Sequence, residues 1–273
     1  MSRRLGLVLG VLGMLAVVPV AFGAYPTPFA AQGGQGVISN DGALRYVAAK
    51  AGEGTVVNAI STRDGSLLKS KAVDGSFGVP MITYKGPAAG MLRDGSAFVL
   101  QSIGYQPETS FQLIGTSDLA ARTAFTLKGT FAFDALSPDG SKLYLIQHTS
   151  QDDLQHYVVR MYDLNAHKLT PGKIADKTQK GWVMQGFPAS RATTADGRWV
   201  YTLYWNPNGY PFVHALDTVR GVAHCIGIAT PVQNGAVLEY TMRVQGPKLV
   251  IRTRGGSVYR VIDRQTWRVS KAL

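Results

Sequence analysis

Hydrophobic and polar positions in this chain fall into short alternating runs. Val56 to Asp64, Phe111 to Asp118, Tyr157 to Asp163, Phe212 to Asp217 and Ser257 to Asp263 are β-rich and each ends in an aspartate ahead of a turn. A period of two over six to eight residues predicts strands with one face buried. A further short strand follows, as in Arg122 to Leu127 and Trp267 to Ser270.

A repeat precedes these runs. Ile38-Ser-Asn-Asp-Gly-Ala-Leu-Arg-Tyr-Val47 recurs as Met91-Leu-Arg-Asp-Gly-Ser-Ala-Phe-Val-Leu100, as Leu136-Ser-Pro-Asp-Gly-Ser-Lys-Leu-Tyr-Leu145 and as Thr193-Thr-Ala-Asp-Gly-Arg-Trp-Val-Tyr-Thr202. A degenerate fifth copy places Gln245-Gly246 before Pro247 to Arg252. In each copy an apolar strand meets Asp-Gly, where glycine accepts a positive φ at low cost, and an alternating strand follows, so the unit is a hairpin. Hairpin, aspartate-ended strand and closing strand make four strands per unit. One such unit cannot bury its own faces, so units must stack, and radial closure removes the exposed edges of an open array. The expected fold is all-β: a single β-propeller of five four-stranded antiparallel blades.

Composition agrees with that class. The 273 residues are 45% hydrophobic and only 16% charged, with 31 glycines, 13 prolines and one cysteine, which excludes disorder, a coiled coil and a disulfide-stapled miniprotein. Long Ala/Glu/Lys/Leu stretches are few. Five repeats from Gly36 onward leave no remainder for a second domain, so residues 36–273 are read as the propeller and 24–35 as a linker.

Arg3 and Arg4 open an apolar run from Leu5 to Ala21 that ends in Ala21-Phe22-Gly23, the order of an export signal with a cleavage site after Gly23. An uncleaved anchor is the competing reading, because about 20 apolar residues just span a bilayer. A twin-arginine signal fits less well, since Gly6 stands where a large apolar residue is expected. Both main readings place the globular part outside the cytoplasm. Cys225 lies far from the signal, so no lipobox cysteine and no intramolecular disulfide are expected.

Loss of Arg3 and Arg4 takes the formal charge from +11 to +9. Lys248, Arg252, Arg254, Arg260, Arg264, Arg268 and Lys271 face one acid, Asp263, in the last 26 residues. That is a solvated basic edge or a patch for an anionic envelope surface. No aromatic-interleaved motif points to nucleic acid.

Leu136-Ser-Pro-Asp-Gly-Ser-Lys-Leu-Tyr-Leu145 and Ala215-Leu-Asp-Thr218 resemble the repeats of the TolB- and YncE-like bacterial exported β-propellers, which carry Ser-Pro-Asp-Gly-x-x-hydrophobic-Tyr and then hydrophobic-Asp-Thr. The resemblance covers nearly all of the mature chain and implies a WD-repeat-like propeller. Relatives of this type usually have six or seven blades; this chain has five repeats. They include periplasmic interaction modules and sugar-lactone hydrolases, and fold alone does not choose between them.

In such a propeller the loops between second and third strands and those between blades share one face, opposite the Asp-Gly turns. Ser102 to Thr109, His148 to His156, Asn206 to Pro211, Asp74 to Gly90 and Lys177 to Ser190 fall there, carrying Phe77, Tyr84, Tyr105, Trp182, Phe187, Trp205 and Tyr210. Aligned on the Asp-Gly pairs, Gly36, Ala89, Asp134, Arg191 and Tyr240 stand five residues upstream, on the innermost strands. Asp134 and Arg191, on neighbouring blades, are either a clamp for a polar ligand, the guanidinium offering a planar fork to carboxylate or phosphate, or a structural ion pair.

His148, Asp152, Asp153 and His156 bring imidazole and carboxylate into one loop, at a spacing that matches no fixed metal motif. His214 and the His224-Cys225 pair fall on or near strands, where packing is the expected role. There is no Gly-x-Ser-x-Gly, no His-Glu-x-x-His, no P-loop and no dinucleotide fingerprint, so the sequence calls for no cofactor. The leading expectation is a non-catalytic module binding a protein partner or a small polar ligand on its loop-rich face, through Asp134, Arg191, Tyr240, Trp205, Tyr210, His148 and His156. The alternatives are a lactonase-like hydrolase using Asp134 and the His148 to His156 loop, and an envelope-associated scaffold.

Overall fold

The structure, a computed structural model, describes residues 29–271 except 35, 84–85, 105–106, 151–153, 155, 177, 179–182, 208 and 230–232. Residues 1–23, Asp152, Asp153, Tyr84, Tyr105 and Trp182 lie outside the described residues. No helix among those described is long and apolar enough to cross a membrane.

A short strand β1 (Phe29–Ala31) comes first. Blade 1 follows with β2 (Val37–Ile38), β3 (Leu44–Ala51), β4 (Gly54–Ser61) and β5 (Leu67–Val73), and blade 2 has β6 (Phe77–Met81), β7 (Ala97–Ser102), β8 (Glu108–Gly115) and β9 (Ala121–Lys128). Blade 3 comprises β10 (Phe131–Leu136), β11 (Lys142–His148), β12 (His156–Asp163) and the short β13 (Lys168–Leu169) and β14 (Met184–Gln185), both paired with β12. Blade 4 holds β15 (Phe187–Thr193), β16 (Trp199–Trp205), β17 (Phe212–Asp217) and β18 (Val222–Gly227). Blade 5 holds β19 (Thr241–Gln245), β20 (Lys248–Arg252), β21 (Val258–Asp263) and β22 (Val269–Ser270). Apart from β1 and β14, the strands pair in sequence order within five antiparallel sheets, so the molecule is a five-bladed β-propeller.

The Asp-Gly turns form as the sequence predicts, and for the stated reason. Gly42, Gly95, Gly140 and Gly197 have φ of 72°, 73°, 72° and 72°, a region closed to most side chains. Ahead of each glycine the aspartate accepts a backbone N–H two residues on, as Asp94 does from Ser96 at 2.9 Å and Asp196 from Arg198 at 3.1 Å. Hydroxyls of Ser39, Ser96, Ser137 and Thr194 and these backbone bonds hold Asp41, Asp94, Asp139 and Asp196 below the usual carboxylate range. Turns of different blades also touch: Asn40 Nδ2 donates to the Arg93 carbonyl at 2.6 Å between blades 1 and 2, and Arg93 Nη1 reaches the Ala195 carbonyl of blade 4 at 2.8 Å.

Two features depart from a simple ring of equal units. The expected linker supplies β1, which pairs antiparallel with β6 (Phe29 opposite Met81) and so adds a fifth, innermost strand to blade 2. Blade 2's own inner strand is interrupted: β6 ends at Met81, and pairing with β7 resumes only where the Val99 N–H donates to the Gly90 carbonyl at 2.9 Å.

Apolar clusters seal the seams between consecutive blades. Tyr46, Val57, Phe98 and Ile114 join blades 1 and 2; Val99, Phe111, Phe133 and Leu145 join 2 and 3; Tyr144, Val159, Val200 and Leu216 join 3 and 4; Tyr201, Val213, Leu249 and Ile262 join 4 and 5. Among the described residues no such cluster joins blade 5 to blade 1, so stacking by apolar burial is seen at four seams. In β4 the burial alternates strictly, with Val57 and Ala59 sealed and Val56, Asn58 and Ile60 half-exposed, whereas every residue of β17 is buried.

Candidate functional site

Asp134 and Arg191 meet, as their alignment on the Asp-Gly turns predicts. Arg191 Nη2 donates to Asp134 Oδ1 at 2.8 Å, with side-chain exposures of 16% and 4%. Both residues owe their aim to β-bulges. Asp134 is the extra residue between the Phe133–Leu145 and Ala135–Tyr144 pairs, and β15 carries an extra residue, Ala189, two positions before Arg191. A bulge bends its strand and redirects the side chains beside it. Here it turns a carboxylate and a guanidinium towards each other across the junction of blades 3 and 4.

The pair stands between two cavities. The smaller, about 250 Å³, is lined by Asp134, Arg191, Phe133, Met91 and the turn residues Ser137 and Pro138. The larger, about 560 Å³, lies among Arg191, Ser190, Thr83, Tyr240, Glu239 and Arg243, with Ala88, Ala89, Ala189 and Ala192 as small-residue walls. The smaller cavity is bordered by the Asp-Gly turns and the larger by Thr83, Gly86 and Pro87 of the Asp74 to Gly90 stretch, and Arg191 borders both. Asp134 Oδ2, Arg191 Nη1 and Ser190 Oγ are buried and have no hydrogen-bond partner among the described residues.

A polar row that sequence reading missed runs outward from Arg191. Register places Thr202 opposite Arg191, His214 opposite Thr202 and Cys225 opposite His214. Thr202 and His214 are buried, His214 Nδ1 lies 3.6 Å from Cys225 Sγ, and the Cys225 N–H donates to Asp176 Oδ2 at 3.0 Å. The signal was present in the hairpin: Arg191 stands five residues before Asp196 and Thr202 five after Gly197, so the turn itself pairs them.

This row is not poised for nucleophilic chemistry. Burial, then the Asp176 carboxylate, pushes the Cys225 thiol up to about 12, so no thiolate is available at neutral pH. Burial pushes His214 down to about 4, against the opposing pull of Asp134. Burial also raises the hydroxyls of Tyr157 and Tyr204 above the ordinary tyrosine range.

His214 makes folding pH-dependent, with a definite sign. An unfolded histidine titrates near 6.5; between there and about 4 the unfolded chain holds a proton that the native His214 refuses. Stability therefore falls as pH drops through that window, by about 3 kcal/mol in all. Urea midpoints should fall steadily from pH 7 to 4.5 in the native sequence and much less in His214→Gln; equal slopes would show that His214 titrates normally.

The remaining candidates are dispersed. Tyr240 packs on Tyr259 with ring centroids 5.0 Å apart and borders the larger cavity. Trp205, expected on the loop face, is 9% exposed and packs on Phe187 at 5.6 Å within the blade 4–5 cluster; Phe77 and Phe187 are likewise buried. Tyr210 is 56% exposed.

His148 is buried, with Nδ1 2.9 Å from the Leu154 carbonyl oxygen and its ring edge-on to Tyr157, while His156 Nε2 lies 3.1 Å from Gln185 Oε1. His148 is three residues along β11 from the partner of Phe133, about 10 Å by strand geometry, so its ring does not join Asp134. Among the described residues no three His, Cys, Asp or Glu side chains gather as a metal centre requires.

No family model and no curated protein matches the sequence. Solved structures do resemble it. Hydrazine synthase from Kuenenia stuttgartiensis superposes with a TM-score of 0.54 at 15% identity, over 85% of this chain and 71% of that one. The β-propeller domain of Cps50 (Swd1) from Myceliophteria thermophila gives 0.52 at 8%, over 87% and 68%. TolB from Acinetobacter baumannii gives 0.38 at 13%, over 84% of this chain and 56% of TolB. At these identities the likeness is one of fold, and it reaches the propeller class without reaching the TolB- and YncE-like family.

Proposed function

We propose that the chain is an exported, non-catalytic propeller that binds a small polar ligand, or a polar side chain of a protein partner, in its central channel. The propeller fold suits a binding or scaffolding role. The observation that carries the reading is Arg191: a largely buried guanidinium, held by Asp134, that borders both cavities and keeps one nitrogen without a partner among the described residues. With Nη2 held by Asp134, Nη1 is left to donate to a carboxylate or phosphate oxygen. A cavity of about 560 Å³ is of the size that takes a small molecule. The un-ionised Cys225 offers no thiolate nucleophile at neutral pH.

Thermal melts with succinate, glutarate and inorganic phosphate test the channel. A ligand at 100 times its Kd adds about 2.7 kcal/mol, which raises the melting temperature of a chain this long by roughly 5–10 °C. At least one probe should give a saturable rise in the native sequence that is absent in Arg191→Gln; a rise that survives in Arg191→Gln would remove Arg191 from recognition. Export is proposed from Arg3-Arg4 and the apolar run to Gly23. Intact-mass measurement on the exported full chain should find a form beginning at Ala24, or an uncleaved chain held at the membrane, and the unprocessed chain in the cytosol would refute export.

A further inference from the structure

Blade 1 turns one face and one edge to solvent. Ile38, Arg45, Ile60 and Leu67 stand in one cross-strand row. Leu67 is 59% exposed, Leu68 56% and Ile38 45%, three of the five large apolar side chains exposed among the described residues, so exposed apolar surface concentrates on this blade. β5 ends its sheet, with six of its seven residues exposed. Most other outer strands are short or covered: β13 and β22 have two residues each and Asp176 closes over β18. β9 is also a long edge, but its Phe125 is turned onto Tyr162 of blade 3, with centroids 3.8 Å apart, and it shows no large exposed apolar side chain. The four strands of blade 1 carry Arg45, Lys50, Lys69 and Lys71 and no carboxylate; on the blade 2 side Lys69 Nζ donates to the Ser117 carbonyl and Lys71 acts on Asp118.

From this placement we propose that the β5 edge of blade 1 docks an extended acidic segment of a partner protein as an added strand. An edge strand offers unpaired N–H and C=O groups to an incoming chain, which supplies affinity, while side chains on alternate faces supply selection. A segment alternating acidic and apolar residues sets its carboxylates against Lys69 and Lys71 and its apolar side chains beside Leu68. A second copy fits less well, because antiparallel pairing of two β5 strands about Ser70 sets Lys69 against Lys71. The surface is separate from the channel, so each stands or falls alone.

The test is fluorescence anisotropy with a labelled, end-blocked octapeptide alternating glutamate and valine. Binding to the full chain should saturate, weaken with added salt, and drop at least about tenfold in Lys69→Glu/Lys71→Glu, the scale of one lost ion pair at a desolvated contact. Leu67→Ser/Leu68→Ser, altered only at exposed positions, should weaken it independently and melt as the native protein does, and Lys71→Glu alone, which keeps the Lys69–Ser117 bond between blades 1 and 2, should weaken it too. The lysine–valine counterpart should not bind. Absence of binding, equal binding of the lysine peptide, or binding that survives charge reversal overturns the proposal. So does preferential sedimentation with phosphatidylglycerol vesicles, or a concentration-dependent dimer that the leucine variant abolishes.

Discussion

Asp134→Ala is expected to cost about 3–5 kcal/mol, because it leaves the Arg191 guanidinium, only 16% exposed, without its carboxylate. For a chain of this length that lowers the melting temperature by roughly 10 °C. The loss comes from the charge left behind more than from the pair itself, since forming a buried pair also strips water from both ions. The double variant Asp134→Leu/Arg191→Met should therefore recover most of it, filling similar volume with no charge to solvate. Thermal melts of Asp134→Ala, of Arg191→Met and of the double variant settle the matter. Singles that melt within about 2 °C of the native protein would place the pair in effective contact with water, where such pairs contribute little.

Phe98→Ala should be nearly as damaging, at about 3–5 kcal/mol. The ring is fully buried in the blade 1–2 seam and stacks on Tyr46 at 4.9 Å with an interplanar angle of 26°. Alanine removes that stacking and leaves a void whose walls belong to two sheets, each fixed by its own hydrogen bonds and therefore slow to collapse. Should Phe98→Ala cost under about 1 kcal/mol by chemical denaturation, the seam would be far looser than native cores are.

What the sequence discloses follows from how local the determinant is. The Asp-Gly hairpins and aspartate-ended strands rest on turn chemistry within a few residues, and all five blades stand where those signals place them. The meeting of Asp134 and Arg191 was readable because the turns supply a common ruler for separate blades. The bulges that aim both side chains were not, since an extra residue in a strand leaves the apolar alternation of its neighbours intact. Trp205 illustrates the non-local remainder: a tryptophan beside a loop reads as a surface ring, yet Phe187 and blade 5 close over it. His214 and Cys225 reveal their shared row only once the register of three successive hairpins is known.

The strand Phe29–Ala31 bears on the order of assembly. Its partners, Val79 to Met81, lie about 50 residues downstream, and a polypeptide leaves the ribosome amino end first. This strand, the first of those described, must therefore wait, unpaired, until the second sheet has been synthesised, and closing that long loop delays its docking. Construction of the wheel begins with a thread that is tied in late.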